Sequence, residues 1–380
     1  MSKSYIGKSL DGTVIEVTVK RNVIVSVKPA QAPDPPLIAP PLVDLQQNGA
    51  LGKSFNHLHE SPDNLRTIAA HVRRHGVGRM LATFTTYPYD KQIESLTEFN
   101  RQLESDKNLG SLYFGAFFEG IYMSREYGWR GAHNPEYMRD PNWNEWSKLQ
   151  DASGGRIMIF NIDPELPHAT ETMRQAINNN LRITMGHCGP SAESISRAAD
   201  MGVDMVTHFG NGAPPEVHRH RNPFWSWLAD DRFYLGLIID GHHLPGDLIR
   251  AAFVAKGKEK IYPVSDASGY SGMPPGDYED FVIEDNGYCH LKGQELLSGA
   301  WHQADRCVER LCELGWSLED AWHQQSVIPA RIIGIPLPEI KAGEPAEFVL
   351  ARGNENGLEL EQVVSMGDEL LDTTINPQMV

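Results

Sequence analysis

Two histidines carry the first chemical signal in this chain. His187 follows the apolar run Arg182–Met185, and His208 follows Val203–Thr207. Between them, Ser191–Met201 has the apolar spacing of a helix. The unit is therefore strand–helix–strand, with an imidazole at the C-terminal tip of each strand. In a parallel α/β fold that tip is where active sites are built. Glu119, behind the run Leu112–Phe118, adds a carboxylate at a third strand end. Glu, His and His leave one coordination position open for water, the pattern of a catalytic divalent-metal site. Asp266 closes the run Lys260–Ser265. It is placed to take a proton from that water and pass it to a leaving nitrogen. Gln46 and Asn48 follow the run Leu42–Leu45, and His243 ends the motif Asp240-Gly-His-His243 behind Phe233–Ile239.

Such residues meet only if the elements behind them form one sheet. Eight strand-like runs occur between Leu42 and Ser265, mostly separated by helical stretches. The helical stretches include 61–76, 91–103, 143–152, 170–179 and 247–255, with 304–314 and 318–327 beyond the last strand. That count and alternation predict a (β/α)8 TIM-like barrel, whose eight strand ends share one mouth. Residues 1–28 alternate apolar and polar, with turns at Asp11-Gly12 and Arg21-Asn22, as a short antiparallel sheet does. Pro29–Pro41 is too rich in proline to join a ladder and reads as a linker. Strand-like alternation returns at 346–351 and 358–364. The expected architecture is α/β. The barrel spans 41–340, and a small β-sandwich domain is formed by 1–40 and 341–380.

Composition narrows the class. Of 380 residues 41% are apolar and 22% charged, which suits a globular protein. A net charge of −16 argues against nucleic acid or an anionic membrane as partner, because phosphates would be repelled. Four cysteines at scattered spacing make no disulfide framework. With no leader-like segment and no long apolar run, a cytoplasmic enzyme is the expectation.

The motifs, taken in order, resemble the amidohydrolase superfamily, and within it the N-acetylglucosamine-6-phosphate deacetylases. The matching stretches are Pro41-Leu-Val-Asp-Leu-Gln-Gln-Asn-Gly49, Phe118-Glu-Gly120, Arg130-Gly-Ala-His-Asn-Pro135, Gly186-His187 and Thr207-His-Phe-Gly-Asn-Gly212. They continue with Asp240-Gly-His-His243, Ser265-Asp-Ala267, Gly272-Met-Pro-Pro-Gly-Asp-Tyr278, Leu297-Ser-Gly-Ala300 and Pro329-Ala-Arg-Ile-Ile-Gly334. The resemblance implies one divalent metal per subunit, zinc by preference, held by Glu119, His187 and His208, with Asp266 as acid and base. It places His133 and His243 against the sugar and the acyl carbonyl, and Asn211, Gly212 and Arg219 against a phosphate. Because that arginine can come from a neighbouring subunit in the family, a homodimer is expected. Many relatives in the superfamily hold a second metal with His-x-His on the first strand. Here those positions are Gln46 and Asn48, so one metal is expected, with the two amides behind it.

The chain also departs from the family. Phe117-Phe-Glu-Gly-Ile121 replaces His-Leu-Glu-Gly-Pro, and Gly186-His-Cys-Gly-Pro-Ser191 replaces Gly-His-Ser-Asn-Ala-Thr. Asn211-Gly-Ala213 replaces Asn-Ala-Met, and Ser268-Gly-Tyr-Ser271 replaces a Thr/Ala-rich run. These changes spare the expected ligands and fall on the pocket lining. The expected reaction is removal of the acetyl group from an N-acetylated amino sugar, N-acetylglucosamine 6-phosphate in the first instance. The alternatives are another amidohydrolase, acting on a cyclic amide or N-acyl amino acid, and a barrel that only binds. Simpler readings compete at single positions. Asp266 could cap a helix, Gln46 and Asn48 could form a turn, and His133 could be solvated. His242 competes with His243, and Arg221 with Arg219. His57 and His59 form a His-x-His, but lie too far past the first strand to reach the barrel mouth.

Overall fold

The computed structural model describes residues 2–294, 296–354 and 357–365. Eight strands form one sheet in sequence order: Leu42–Gln47, Val77–Phe84, Tyr113–Phe118, Ile157–Asn161, Arg182–Met185, Met205–Val206, Tyr234–Ile238 and Ile261–Val264. Every neighbouring pair is parallel. The ring is closed by chain just past the eighth strand: Gln47 bridges Ala267 in parallel, Asp266 N donates to Gln46 O at 2.9 Å, and Asn48 N donates to Ala267 O at 2.9 Å. The expected barrel is therefore present, with its strand ends converging as a parallel closed sheet requires.

The strands are buried on both faces and so read as apolar runs rather than alternating ones. Val43, Leu45, Leu81, Phe117, Ile159, Met205 and Val264 pack together with Ile328, Ala330 and Ile332 of the last helix. That helix, Leu318–Ile333, is held under the first strand by Trp322 Nε1 to Pro40 O, Ser326 Oγ to Pro41 O and Gln325 Nε2 to Val43 O. The outer faces of the strands bury against the surrounding helices, whose inward stripes include Leu65, Ile68 and Val72 of Asn64–Arg74. Ser191 caps the helix Ala192–Met201, accepting from Ser194 N, so the opening strand–helix–strand unit has the predicted form.

The terminal segments form a separate six-stranded sheet. Its order is Gly357–Val364, Phe348–Asn354, Leu37–Ala39, Ser2–Lys8, Val14–Lys20 and Val23–Pro29. Val17, Ile24, Ile38, Phe348 and Leu350 make its core. The proline-rich stretch is not only a linker: Leu37–Ala39 pairs with Val349–Ala351 and ties the C-terminal hairpin to the N-terminal strands. Residues 366–380 of the expected small domain lie outside the described residues.

One buried carboxylate in the first strand carries a pH signature. Asp44 is fully buried, accepting from Ser265 Oγ at 2.5 Å and from Gln46 N at 3.3 Å. Burial pushes its carboxyl up to about 6 against an ordinary 3.8. The folded value lies above the unfolded one, so stability is full below about pH 4 and falls as pH rises through 6. The expected loss is roughly 3 kcal/mol. Denaturant melts of Asp44→Asn across pH 4–7 should lack this slope; an unchanged slope would place its origin elsewhere.

Candidate metal centre and catalytic site

The barrel closure brings Glu119, His187 and His208 to one point. Glu119 is 3% exposed and His208 2%. His208 Nε2 lies 3.0 Å from Glu119 Oε1 and 2.9 Å from His187 Nε2, and His187 Nε2 lies 3.3 Å from Glu119 Oε1. His133 reaches in from the loop after the third strand, its Nε2 3.3 Å from His187 Nε2. Glu119, His133 and His187 also have ligating atoms within 4.8 Å of one another. Two triples thus share Glu119 and His187; the one completed by His208 is tighter, and His133 stands beside it.

The donor chemistry fits a divalent ion. Donors bonded tetrahedrally at 2.0–2.1 Å stand roughly 3.3 Å apart, close to these separations. His187 Nδ1 donates to Trp129 O at 3.1 Å, which leaves its Nε2 lone pair facing the cluster. Glu119 behaves as a permanent anion. Burial pushes its carboxyl up, but the His187 and His208 rings outweigh this and hold it well below the usual range. Burial, then the neighbouring His187 ring, pushes His133 down to about 3, so it is a neutral imidazole.

Asp266 sits beside this cluster as the sequence suggested. Its Oδ1 accepts from Asn48 Nδ2 at 2.7 Å and from Gln46 Nε2 at 3.1 Å. Gln46 Nε2 also donates to Glu119 Oε1 at 2.8 Å. One amide therefore separates two carboxylates that would otherwise repel. Burial first, and the Glu119 charge second, push Asp266 up to about 7. No helix starts after Asp266, so the capping role is absent. His187, His208 and Asp266 all have positive φ, at 53°, 27° and 47°. Such strain in non-glycine residues persists where the surroundings over-determine it, as at functional sites.

His243 and His242 part company. His243 Nδ1 donates to Asp240 Oδ2 at 2.7 Å, and Asp240 Oδ1 accepts from both backbone N–H groups of the histidine pair. His242 turns away, bonding Asn286 O and stacking on His302. Asn211 presents a buried side-chain nitrogen without a partner. Gly212, at φ +58°, approaches His187 so closely that a Cβ would lie 2.7 Å from its Nδ1. Arg219 and Arg221 lie on an exposed stretch; the Arg219 guanidinium makes no hydrogen bond or ion pair among the described residues, and its carbonyl accepts from Trp225 Nε1. His57 packs on Tyr87 and His59 bonds Ser95, outside the cluster as expected. Sequence reasoning missed the Trp129 carbonyl, since any residue supplies one. The Asp240 brace was legible as an Asp three residues before a His.

No family model matches the chain. A curated N-acetylgalactosamine-6-phosphate deacetylase of Escherichia coli is 28% identical over 340 residues, covering 88% of each chain. An N-acetylglucosamine-6-phosphate deacetylase of Bacillus subtilis is 27% identical over 281 residues, 73% of this chain and 70% of the relative. The chain resembles amino-sugar-phosphate deacetylases along most of its length. The solved N-acetyl-D-glucosamine-6-phosphate deacetylase of Mycobacterium smegmatis superposes with a TM-score of 0.83 at 24% identity, covering 95% of this chain and 97% of that one, and shares the fold. Among the described residues no helix is long and apolar enough to cross a membrane.

Proposed function

We propose that this protein is a metal-dependent deacetylase that hydrolyses the N-acetyl amide of an amino-sugar 6-phosphate, N-acetylglucosamine 6-phosphate first, to the amino sugar phosphate and acetate. The convergence of Glu119, His187 and His208 beside Asp266 carries this reading. Those three side chains would hold the ion, with zinc suited to one carboxylate and two imidazoles. A divalent ion held there would supply Lewis acidity, making a water more acidic and the amide carbonyl more electrophilic. Asp266 takes one proton from the attacking water and delivers it to the departing nitrogen as the C–N bond breaks. Asn48 and Gln46 fix that carboxylate in place. His243, locked by Asp240 with Nε2 free, and His133 donate toward the carbonyl oxygen or the sugar hydroxyls. Asn211, the Gly212 backbone and Arg219 receive the phosphate; Arg219, being exposed, is free to serve a neighbouring subunit in a homodimer. The setting is cytoplasmic in this reading, where sugar phosphates occur.

Acetate release should be measured on N-acetylglucosamine, N-acetylgalactosamine and their 6-phosphates. Turnover of a phosphate ester well above its free sugar supports the reading; no release from any of the four overturns it. The ratio between the two phosphates decides the sugar, and the Escherichia coli relative makes the galactose epimer a serious competitor. His243→Ala should lower kcat by roughly 10²–10³-fold, the usual effect of losing one donor to a developing oxyanion. Asp240→Asn should show part of that loss with unchanged metal content. Wild-type kcat in both variants would remove His243 from the chemistry.

A further inference from the structure

A second group of histidines stands outside the cluster described above. His71 lies in the last turn of the helix Asn64–Arg74, and His75 is its C-terminal cap, one turn further on. Residues four apart on a helix share a face. Their ring centroids are 4.8 Å apart, with planes at 56°. His75 Nδ1 donates to Asp305 Oδ2 at 2.8 Å, which turns its Nε2 lone pair outward, the arrangement in which a carboxylate orients a metal-binding imidazole. His71 Nε2 is buried and has no hydrogen-bond partner. Both rings line a cavity of about 140 Å3 with Gly272, His302, Gln303 and Asp305. Two more buried polar atoms there lack partners: His302 Nδ1 and the Oε1 of Gln303, a residue only 3% exposed. Gly272 is needed for this space, since a Cβ there would lie 2.8 Å from His71 Nε2.

We propose that His71 and His75 chelate a second divalent transition-metal ion of the zinc type, with Asp305 as the positioning residue and water, bonded to Gln303 and His302, filling the remaining positions. Imidazole pairs favour zinc, copper and nickel over calcium or magnesium. The proposal accounts for the unpartnered nitrogens, and the ion displaces any proton on Nε2 to solvent. The pair sits on the helix after the first barrel strand, and Asp305 and Gln303 sit at the start of the helix after the eighth, Ala304–Glu313. The ion therefore joins the two helices that flank the ring closure, apart from the chemistry at Glu119.

The test is a calorimetric titration of the metal-loaded protein with zinc chloride. Wild type should take up one equivalent beyond the ion at Glu119, His187 and His208. His71→Ala and the bulkier His71→Gln should lose that equivalent, keep their circular dichroism and keep wild-type deacetylase activity. Asp305→Asn should weaken it by about 10–100-fold. Absence of the extra equivalent in wild type overturns the proposal. So does its survival in His71→Gln, which would assign it to surface histidines such as His218 and His220. The readout is ion uptake, so it is independent of whether the substrate assignment holds.

Discussion

Asp266→Asn should lower kcat on the acetylated sugar phosphate by about 10²–10⁴-fold, the usual worth of a positioned acid–base group, with ion content at the wild-type level. The substitution is nearly isosteric and leaves Glu119, His187 and His208 untouched. Its new amide can still present an oxygen to Asn48 Nδ2, now 2.7 Å from the carboxylate. What it cannot do is hold a proton between the attacking water and the leaving nitrogen. The same oxygen position accepts from Gln46 Nε2, at 3.1 Å in the wild type, so both supporting bonds persist while Gln46 keeps Glu119 as its one anionic acceptor. A pH–rate profile separates catalysis from folding: wild type should lose activity as Asp266 gains its proton, and the variant's residual rate should not follow that limb. Near wild-type kcat in the variant would assign the proton transfer to another group.

His208→Ala should have the second large effect. It removes the donor with the shortest contacts in the cluster, 2.9 and 3.0 Å. Ion content measured by mass spectrometry should fall by one equivalent relative to wild type. The activity loss should reach roughly 10³-fold, since Lewis-acid assistance is worth several kcal/mol and each 1.4 kcal/mol is tenfold. Chelator should lower the melting temperature of wild type more than that of the variant, because an ion bound only by the folded chain stabilises it by mass action. Equal ion content in variant and wild type would move the site to the alternative triple of Glu119, His133 and His187.

The barrel and the cluster were legible because both rest on repeated, local signals. Each strand is an apolar run closed by a polar residue, and six such ends named the site. In the unit 182–208 the first strand and the helix were read almost to the residue, because Ser191 caps the helix and Gly202 ends it in a left-handed turn, while the run 203–207 shortens to the strand Met205–Val206. The elements that escaped have weak local codes. Leu37–Ala39 lies among prolines and becomes a strand only because the distant Val349–Ala351 pairs with it. Pro223–Ala229 is seven residues long, and the strands Gly276–Asp277, Phe281–Ile283 and Cys289–Leu291 have two or three each, too short for a period to show. The last helix continues to Ile333 through Pro329, which sequence rules treat as a stop. Tertiary burial of Ile328, Ala330 and Ile332 against the barrel interior offsets that local cost.

The backbone bond from Asp266 N to Gln46 O, which shuts the ring, joins the proposed base to the residue whose amide holds it. The first and last strands of the barrel are thus tied together at the proton carrier itself. Glu119, His187 and His208 follow the third, fifth and sixth strands, while Asp266 follows the eighth, so the proton carrier enters from the far end of the strand order. Acetate release is then a reporter of ring closure as well as of the three ligand side chains, because the same junction seats the proton carrier.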